Sequence, residues 1–280
     1  MNLIHFNKFE SFVLCFSRWC ESKIMKLISI FHDDKPPSPS VSSVINLGVV
    51  DNVLVVGGGR SGLGRYLAIE MCETGHFVCA TSSSLSGPDY SGNLNIIQCD
   101  LTNSTNVITL ADQISNGTFL PRYLVWCGGA LSPTELVNGT TVENFDRYNK
   151  AITINLTSSL VILSAWLKEV NQHRTKSFAL LHISCRSMLK SNTNIESVRH
   201  MIKTAQLDFL REWTKKENRN PHFCCSVSFL GSIWDDTTKN FAEWIRKQLA
   251  HEIIEQFIKN KSLWREFIAT SDKHVENYRM

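Results

Sequence analysis

Residues 53–68 read Val-Leu-Val-Val-Gly-Gly-Gly-Arg-Ser-Gly-Leu-Gly-Arg-Tyr-Leu-Ala, a β-branched run, a glycine cluster and a helix start. Chemistry at such a turn asks for glycine three times. One glycine permits the tight turn, one lets backbone approach a pyrophosphate, and one lets the helix pack on the sheet. The helix N-terminus then offers free N–H groups and a positive dipole end to the phosphates. A strand before the glycines and a helix after them point to a nucleotide more strongly than glycine spacing alone. The loop has no Lys-Ser or Lys-Thr pair, which excludes a P-loop NTPase.

Other residue types that could do chemistry have plainer readings. The nine cysteines form no CxxC pair and no metal-ligand spacing, so no metal is expected. Cys79, Cys99 and Cys127 fall in apolar strand-like runs, and Cys224-Cys225 lies on another, where thiols act as small hydrophobes. Free thiols suit a reducing compartment, hence a cytoplasmic location with mitochondrial as the alternative. Lys and Arg number 29 against 26 Asp and Glu, a net charge of +3, which argues against nucleic acid as a partner. Asn-x-Ser/Thr matches begin at Asn103, Asn116, Asn138 and Asn155, and without a secretory signal they read as chance.

The elements that must position the loop alternate between short apolar runs and helical ones. Strands are expected at 53–56, 77–80, 94–99, 123–126, 178–183 and 223–229. Helices are expected from Leu63 to Gly75 and near 104–115, 141–171, 195–217 and 238–259. This alternation predicts an α/β, Rossmann-like doubly wound parallel sheet of about six strands over residues 48–280. Ser262–Met280 has no glycine and no β-branched run, so a seventh strand is expected to be missing and the sheet edge covered by the N-terminal segment or by another chain.

Lys35-Pro-Pro-Ser-Pro-Ser40 cannot continue a helix, so residues 35–47 read as a linker after an N-terminal helical extension, residues 1–34. Phe9, Phe12, Val13, Phe16, Trp19, Cys20, Ile24, Leu27, Ile28 and Phe31 recur there at helical spacing, beside Lys8, Arg18, Lys23 and Lys26. Residues 3–31 suit docking on a membrane surface or a partner. They suit packing on the chain's own domain equally well. Met25 is an alternative start. No uncharged apolar run reaches the 18 residues of a spanning helix.

From about residue 51 to 235 the chain resembles the short-chain dehydrogenases/reductases. Gly57–Gly64 matches their Thr-Gly-x-x-x-Gly-x-Gly with Gly in place of Thr. The resemblance assigns cofactor contacts to Gly58, Arg60, Ser61, Gly62, Leu63 and Gly64. Gln98-Cys99-Asp100-Leu101 stands where the family has an Asp that meets the adenine amine, which adds Asp100 and Leu101. Trp126-Cys127-Gly128-Gly129-Ala130 replaces the family's Asn-Asn-Ala-Gly, with Gly128 toward the cofactor. Ile154-Asn155-Leu156 matches the Asn of the middle helix, and Leu230-Gly231 resembles the Pro-Gly after the sixth strand.

An acid at the end of the second strand would bond a ribose 2′-hydroxyl and select NAD. Thr81-Ser82-Ser83-Ser84 carries none, and with Arg60 these hydroxyls suit a 2′-phosphate. The resemblance thus implies NADP(H) over NAD(H), with Ser82 and Ser83 among the contacts.

The same resemblance implies hydride exchange between nicotinamide and a carbonyl or alcohol, with a Tyr moving the proton and a Lys four residues later tuning it. Here Arg199 holds the Tyr position and Lys203 the Lys position. A guanidinium, with a pKa above about 12, cannot trade a proton at neutral pH. None of Tyr66, Tyr90, Tyr123, Tyr148 and Tyr278 has Lys four residues on. The catalytic Ser position falls on Cys185 in the most natural register, while a shift of one residue would bring Ser184 there. Asn155 and Lys203 are thus retained, the resemblance giving Lys203 also a cofactor contact at the nicotinamide ribose, and Ser184, Cys185 and Arg199 stand at degenerate positions. His200 is the substitute proton donor to weigh.

These departures lead to an expected NAD(P)-binding protein without the usual hydride transfer, serving as a binding or structural subunit. The alternative is an active NADPH-dependent carbonyl or alcohol oxidoreductase with a nonstandard donor. A Rossmann methyltransferase is weaker, since it would want an acid where Ser82–Ser84 stands. The helices at 150–170 and 195–213 would form the interface of a homo-oligomer or larger assembly, anchored by Trp166, Phe209 and Trp213.

Overall fold

A computed structural model describes residues 52–84, 93–127, 141–185, 198–215, 219–230, 239–259 and 264–269. The expected N-terminal extension and linker lie outside these residues. Chain order is β1 (Asn52–Val56), α1 (Gly62–Glu73), β2 (Phe77–Ser82), β3 (Leu94–Gln98), α2 (Ser104–Ser115), β4 (Tyr123–Trp126) and α3 (Thr141–Ile152). A single π-turn, Thr153–Thr157, joins α3 to α4 (Ser158–Gln172). Then come β5 (Phe178–Cys185), α5 (Val198–Thr214), β6 (Phe223–Leu230), α6 (Lys239–Ile258) and β7 (Trp264–Ala269).

The strands form one parallel sheet in the order β3-β2-β1-β4-β5-β6-β7. The doubly wound fold expected from the alternation is therefore present, with seven strands rather than about six. The seventh strand, expected to be lost, is Trp264–Ala269, with Phe267 paired to Ser228. Arg265 and Glu266 broke the apolar pattern that a buried strand would show. Within this sheet β7 pairs only with β6, and such a strand tolerates charge. The Arg265 guanidinium bonds Gln256 Oε1 at the end of α6 (2.6 Å).

Alternation along the strands sorts the core into two faces. Val53, Val55, Val78, Ala80, Val125, Leu181 and Ile183 pack with Leu67 and Met71 of α1 and Leu249, Ile253 and Phe257 of α6. The opposite face carries Phe178, Leu180, His182 and Ser184 from β5. There Trp166 of α4 meets the rings of Phe178 and Phe223 (6.1 Å each), and Trp213 of α5 meets Phe223 (4.7 Å). β4 to β7 follow in one direction, with α4 and α5 on one face and α6 on the other. The β6–α6–β7 crossover thus has the opposite hand to its two predecessors, against the usual rule of about 98% right-handed crossovers.

Trp166 and Trp213, expected as oligomer anchors, are buried inside the domain. Trp166 Nε1 donates to the Pro121 carbonyl (2.7 Å), so its polar edge is satisfied internally. Phe209 is half-buried. Residues 145–172 are long and apolar enough to cross a membrane, yet the apolar side chains of α4 (Leu160, Ile162, Leu163, Trp166, Leu167 and Val170) are buried in the domain.

Local chemistry sets several helix ends. Gly75, at φ +90°, lets the chain leave α1: its N–H donates to Cys72 O (2.9 Å) and that of His76 to Met71 O (3.1 Å). Asn103 caps α2, accepting from the Asn106 N–H at 3.2 Å. Asn116 ends that helix and accepts from the Thr118 N–H (3.0 Å). Two of the four Asn-x-Ser/Thr matches are thus caps.

Candidate functional site

The strand order reverses direction at β1, between β2 and β4, the place where open α/β sheets hold ligands. The glycine loop leaves β1 at that point. Gly57 (φ +86°) and Gly62 (φ +72°) adopt left-handed backbone that other residues resist. Thr81 of β2 secures the loop twice: the Gly57 N–H donates to Thr81 Oγ1 (2.8 Å) and the Gly59 N–H to Thr81 O (2.9 Å). Nothing in the sequence motif singled out Thr81.

Gly58 and Gly64 are where helix and strand touch. A Cβ on Gly58 would lie 2.5 Å from Val55 Cγ1 and 2.7 Å from Gly64 O. One on Gly64 would lie 2.7 Å from Gly58 Cα. A Cβ on Gly59 would strike the Ser82 Cβ at 2.8 Å, whereas one on Gly62 would meet nothing within 4 Å. The loop is closed toward the sheet and open at Gly62. Ser61 is exposed at the helix N-cap in extended conformation and makes no side-chain cap, so α1's first N–H groups face outward from an uncapped end. Leu63 is buried beneath.

On the rim, the exposed Arg60 guanidinium donates to Ser84 Oγ (3.2 Å), joining the loop to the end of β2. Ser82 is buried there and accepts from the Ser84 N–H (3.3 Å), while Ser83 is exposed. Asp100 follows β3, where its Oδ1 takes the N–H and hydroxyl of Thr102 (2.8 Å each). Leu101 O accepts from Ser158 Oγ (2.5 Å), tying the β3 end to α4. The cofactor residues expected from sequence therefore gather at one end of the sheet, except Gly128, which lies outside the described residues.

The second cluster sits at the ends of β4 and β5 under α5. The Lys203 ammonium, buried, donates to Ile183 O (2.9 Å). Asn155 stands on the π-turn; its Nδ2 donates to Ala151 O (2.8 Å) and its main-chain carbonyl accepts from Gln206 Nε2. Such turns within α-helices concentrate at functional positions. Gln206 lies three residues after Lys203 on the same helix face, a spacing legible in sequence but not singled out there.

His182 and Trp126 pack with tilted rings (55°) on the α4–α5 side, ring centroids 4.9 Å apart. Both imidazole nitrogens, Trp126 Nε1, Ser184 Oγ and Gln206 Oε1 are buried and find no partner among the described residues. Burial, and secondarily the Lys203 charge, hold the His182 pKa well below its usual range, so this imidazole is neutral at pH 7. Burial pushes the Cys127 thiol up to about 11, with the Lys203 charge opposing, so it remains a thiol rather than a nucleophilic thiolate. Cys79 and Cys99 are buried and pushed up to about 12 chiefly by the same desolvation, in keeping with packing. Ser184 shares the face of His182 by alternation, and the side chain of Cys185 lies outside the described residues. Arg199 and His200 open α5, where their side chains lie outside the described residues. Among the described residues no His, Cys, Asp and Glu group could hold a metal.

No protein-family model matches the sequence, and no curated protein matches it. Solved structures do. A short-chain dehydrogenase from Leptospira borgpetersenii with bound NAD+ superposes with a TM-score of 0.63 at 14% identity, covering 84% of this chain and 97% of that one. ElxO with NADP bound gives 0.62 at 18% identity, over 81% and 100%. A 4-hydroxyisoleucine dehydrogenase complexed with NADH and succinate gives 0.59 at 16%, over 79% and 99%. The chain has the short-chain dehydrogenase/reductase fold. At these identities the likeness concerns the fold alone, and the bound nucleotides are those of the relatives. In this chain the glycine cradle is one a pyrophosphate would fit, since added Cβ atoms would block Gly58, Gly59 and Gly64 while Gly62 stays open.

Proposed function

We propose that this chain binds a nicotinamide dinucleotide, NADP(H) in preference to NAD(H), has lost the usual hydride transfer, and acts as a binding or structural subunit. The observation that carries this reading is a complete glycine cradle on the same sheet as an α5 that offers Arg199 where a proton-exchanging Tyr would stand. Gly58, Ser61, Gly62 and Leu63 would supply the phosphate end, and Asp100, Leu101 and Gly128 would flank the adenine side. Arg60, Ser82 and Ser83 would receive a 2′-phosphate, the group an acidic residue would repel. When bound, the dinucleotide would supply a hydride donor or acceptor. The chain's own residues offer no group that exchanges a proton at Arg199.

NADPH and NADH titrations of the purified protein test this, with Gly62→Asp as control. The introduced carboxylate would stand in the open space of the cradle and repel phosphate. Binding that the variant loses supports the reading. An absence of binding for both nucleotides at millimolar concentration overturns it.

A second reading, an active NADPH-dependent carbonyl or alcohol oxidoreductase, draws on the retained Asn155 and Lys203, held through Gln206 and Ile183. His200 is its candidate donor, since imidazole titrates near neutral pH. Turnover of any carbonyl in a substrate screen, abolished by His200→Ala with cofactor affinity intact, would favour it. For assembly, the exposed apolar side chains Phe145 (64%) on α3 and Met201 (45%) on α5 support contact with a second copy or a partner. Residues 3–31 remain the proposed peripheral contact, and the cytoplasm the proposed location.

A further inference from the structure

We propose that the end of the sheet opposite the crevice, where β4, β5 and β6 begin, is a basic face that docks on an anionic phospholipid surface. This rests on the peripheral contact proposed for residues 3–31 and adds to it a charge-selective contact made by the folded domain.

Residues 116–122, 173–177 and 219–222 lead into the three strands and contain no Asp or Glu. They carry Arg122, His173, Arg174, Lys176, Arg219 and His222. β4, β5 and β6 are neighbours in the sheet, about 4.8 Å apart from strand to strand, so these cations share one narrow strip. Arg174, Lys176 and His222 are exposed, and the other three are half-buried. Glu212 on the adjoining last turn of α5 is already paired with Lys215 (2.6 Å). Glu217 is preceded in sequence by Lys216.

The strip is held firmly by the buried Asn220. Its Nδ2 lies within hydrogen-bond distance of Val170 O (2.9 Å), His173 O (3.0 Å) and Lys176 O (3.1 Å). Its Oδ1 accepts from the His222 N–H (2.8 Å), and its own N–H donates to Asn171 Oδ1 (3.0 Å). The two loops that carry Arg174, Lys176 and His222 are therefore locked to each other.

Cations after a helix often serve its carbonyl end. Here Asn220 already serves the Val170 and His173 carbonyls at the end of α4. The Arg174 guanidinium reaches only Arg219 O, at 3.5 Å. Among the described residues no carboxylate pairs with Arg174, Lys176 or His222. Fixed backbone beneath uncompensated cations is preorganised for an anionic surface, because little order remains to be imposed on binding.

Chain connectivity selects lipid as that surface. β1 starts at this same end, where Asn52 O accepts from the Arg122 N–H (2.8 Å). Residues 3–31, with an apolar stripe and Lys8, Arg18, Lys23 and Lys26, thus join the domain at its basic end through residues 32–51. A tether at this end gives the strip a high effective concentration at whatever membrane the segment binds. Stable peripheral binding takes two such signals, an apolar insertion and a basic patch.

Flotation of the full chain with phosphatidylcholine vesicles, alone or with about 30% phosphatidylserine, tests this. Binding should be tighter to the phosphatidylserine vesicles and fall as salt shortens the screening length from about 10 Å to about 3 Å. Each Lys or Arg at an anionic surface contributes about fivefold in affinity. The double variant Arg174→Ala, Lys176→Ala should therefore bind phosphatidylserine vesicles about 25-fold more weakly, and phosphatidylcholine vesicles as the wild type does. Arg174→Lys with Lys176→Arg keeps the charge and should bind as the wild type. Both side chains are exposed, so thermal melts should be unchanged. Phe16→Glu separates the two contacts, since it should weaken binding to both vesicles. Loss through Phe16→Glu alone, with the alanine pair as tight as wild type, would overturn the basic face and sustain the role of residues 3–31. Equal binding to both vesicles would overturn it too, leaving the strip to a soluble polyanion. No binding to either would overturn both contacts.

Discussion

The β1–α1 end of the crevice and the β5–α5 end are built from different materials. At the first, backbone does the work. Glycines permit left-handed turns and contact distances that no Cβ would allow, and Thr81 fixes the loop with two bonds. At the second, side chains do the work, and those that remain are engaged with the protein itself. The difference teaches what sequence change can remove. A backbone site survives as long as its glycines do, because its donors belong to every residue. A side-chain site is lost one residue at a time, and the proposed function takes Arg199 as one such loss.

Gly58→Ala gives the largest effect expected. Its Cβ would sit 2.7 Å from the Gly64 carbonyl, which is backbone and cannot rotate away. β1 and α1 would have to part, at a cost of about 2–3 kcal/mol in urea unfolding. A loss below about 0.5 kcal/mol would show the first end to be looser than its contacts imply.

Arg60→Ala comes next. Removing the guanidinium beside Ser84 should weaken NADPH binding about tenfold and leave NADH unchanged, as read by calorimetry. Equal losses for both would mean that Arg60 supports the loop rather than reading the 2′-position.

His182→Leu tests the second end. With both nitrogens buried and without a partner among the described residues, the imidazole lowers stability, so its removal should raise the unfolding free energy by about 1 kcal/mol. A comparable loss instead would show that the ring is satisfied by water or a ligand, and the two ends would then differ less than described.

The smallest effect expected lies outside the crevice. Nδ1 of His251 on α6 pairs with Glu70 Oε1 on α1 at 2.6 Å, with the His side chain 65% exposed. The hydrogen bond to Glu70, then its charge, raises the His251 pKa. A raised folded-state pKa adds stability that is full below about pH 6.5, the unfolded value, and fades as pH rises through the folded one. At this exposure the contribution is about 0.5 kcal/mol. Glu70→Gln should abolish this slope between mildly acidic and mildly alkaline pH in thermal melts.

Much of the glycine-loop end was legible in the sequence because its signals are local. The strand, the glycines and the helix of residues 53–68 are contiguous, and the hydroxyls of Ser82–Ser84 follow a strand whose end is readable. The other end was legible only by position. That Lys203 bonds Ile183 O, or that Gln206 takes the Asn155 carbonyl, depends on helix rotation and on residues about 20 and 51 positions apart. The expected interface role of Trp166 and Trp213 failed for a similar reason. An apolar helix stripe indicates burial without naming what buries it, and here the sheet does.

By itself the sequence determined the alternating α/β order, the parallel sheet and the placement of the glycine loop between β1 and α1, because helical and strand periodicities and glycine conformation are properties of short stretches. Only the tertiary structure decided that Trp264–Ala269 adds a seventh strand, that α6 crosses on the face opposite α4 and α5, and that a π-turn sets Asn155 among buried groups. Each of these is a pairing of distant segments, favoured by the surface it buries and the hydrogen bonds it completes, and no local pattern encodes such a sum.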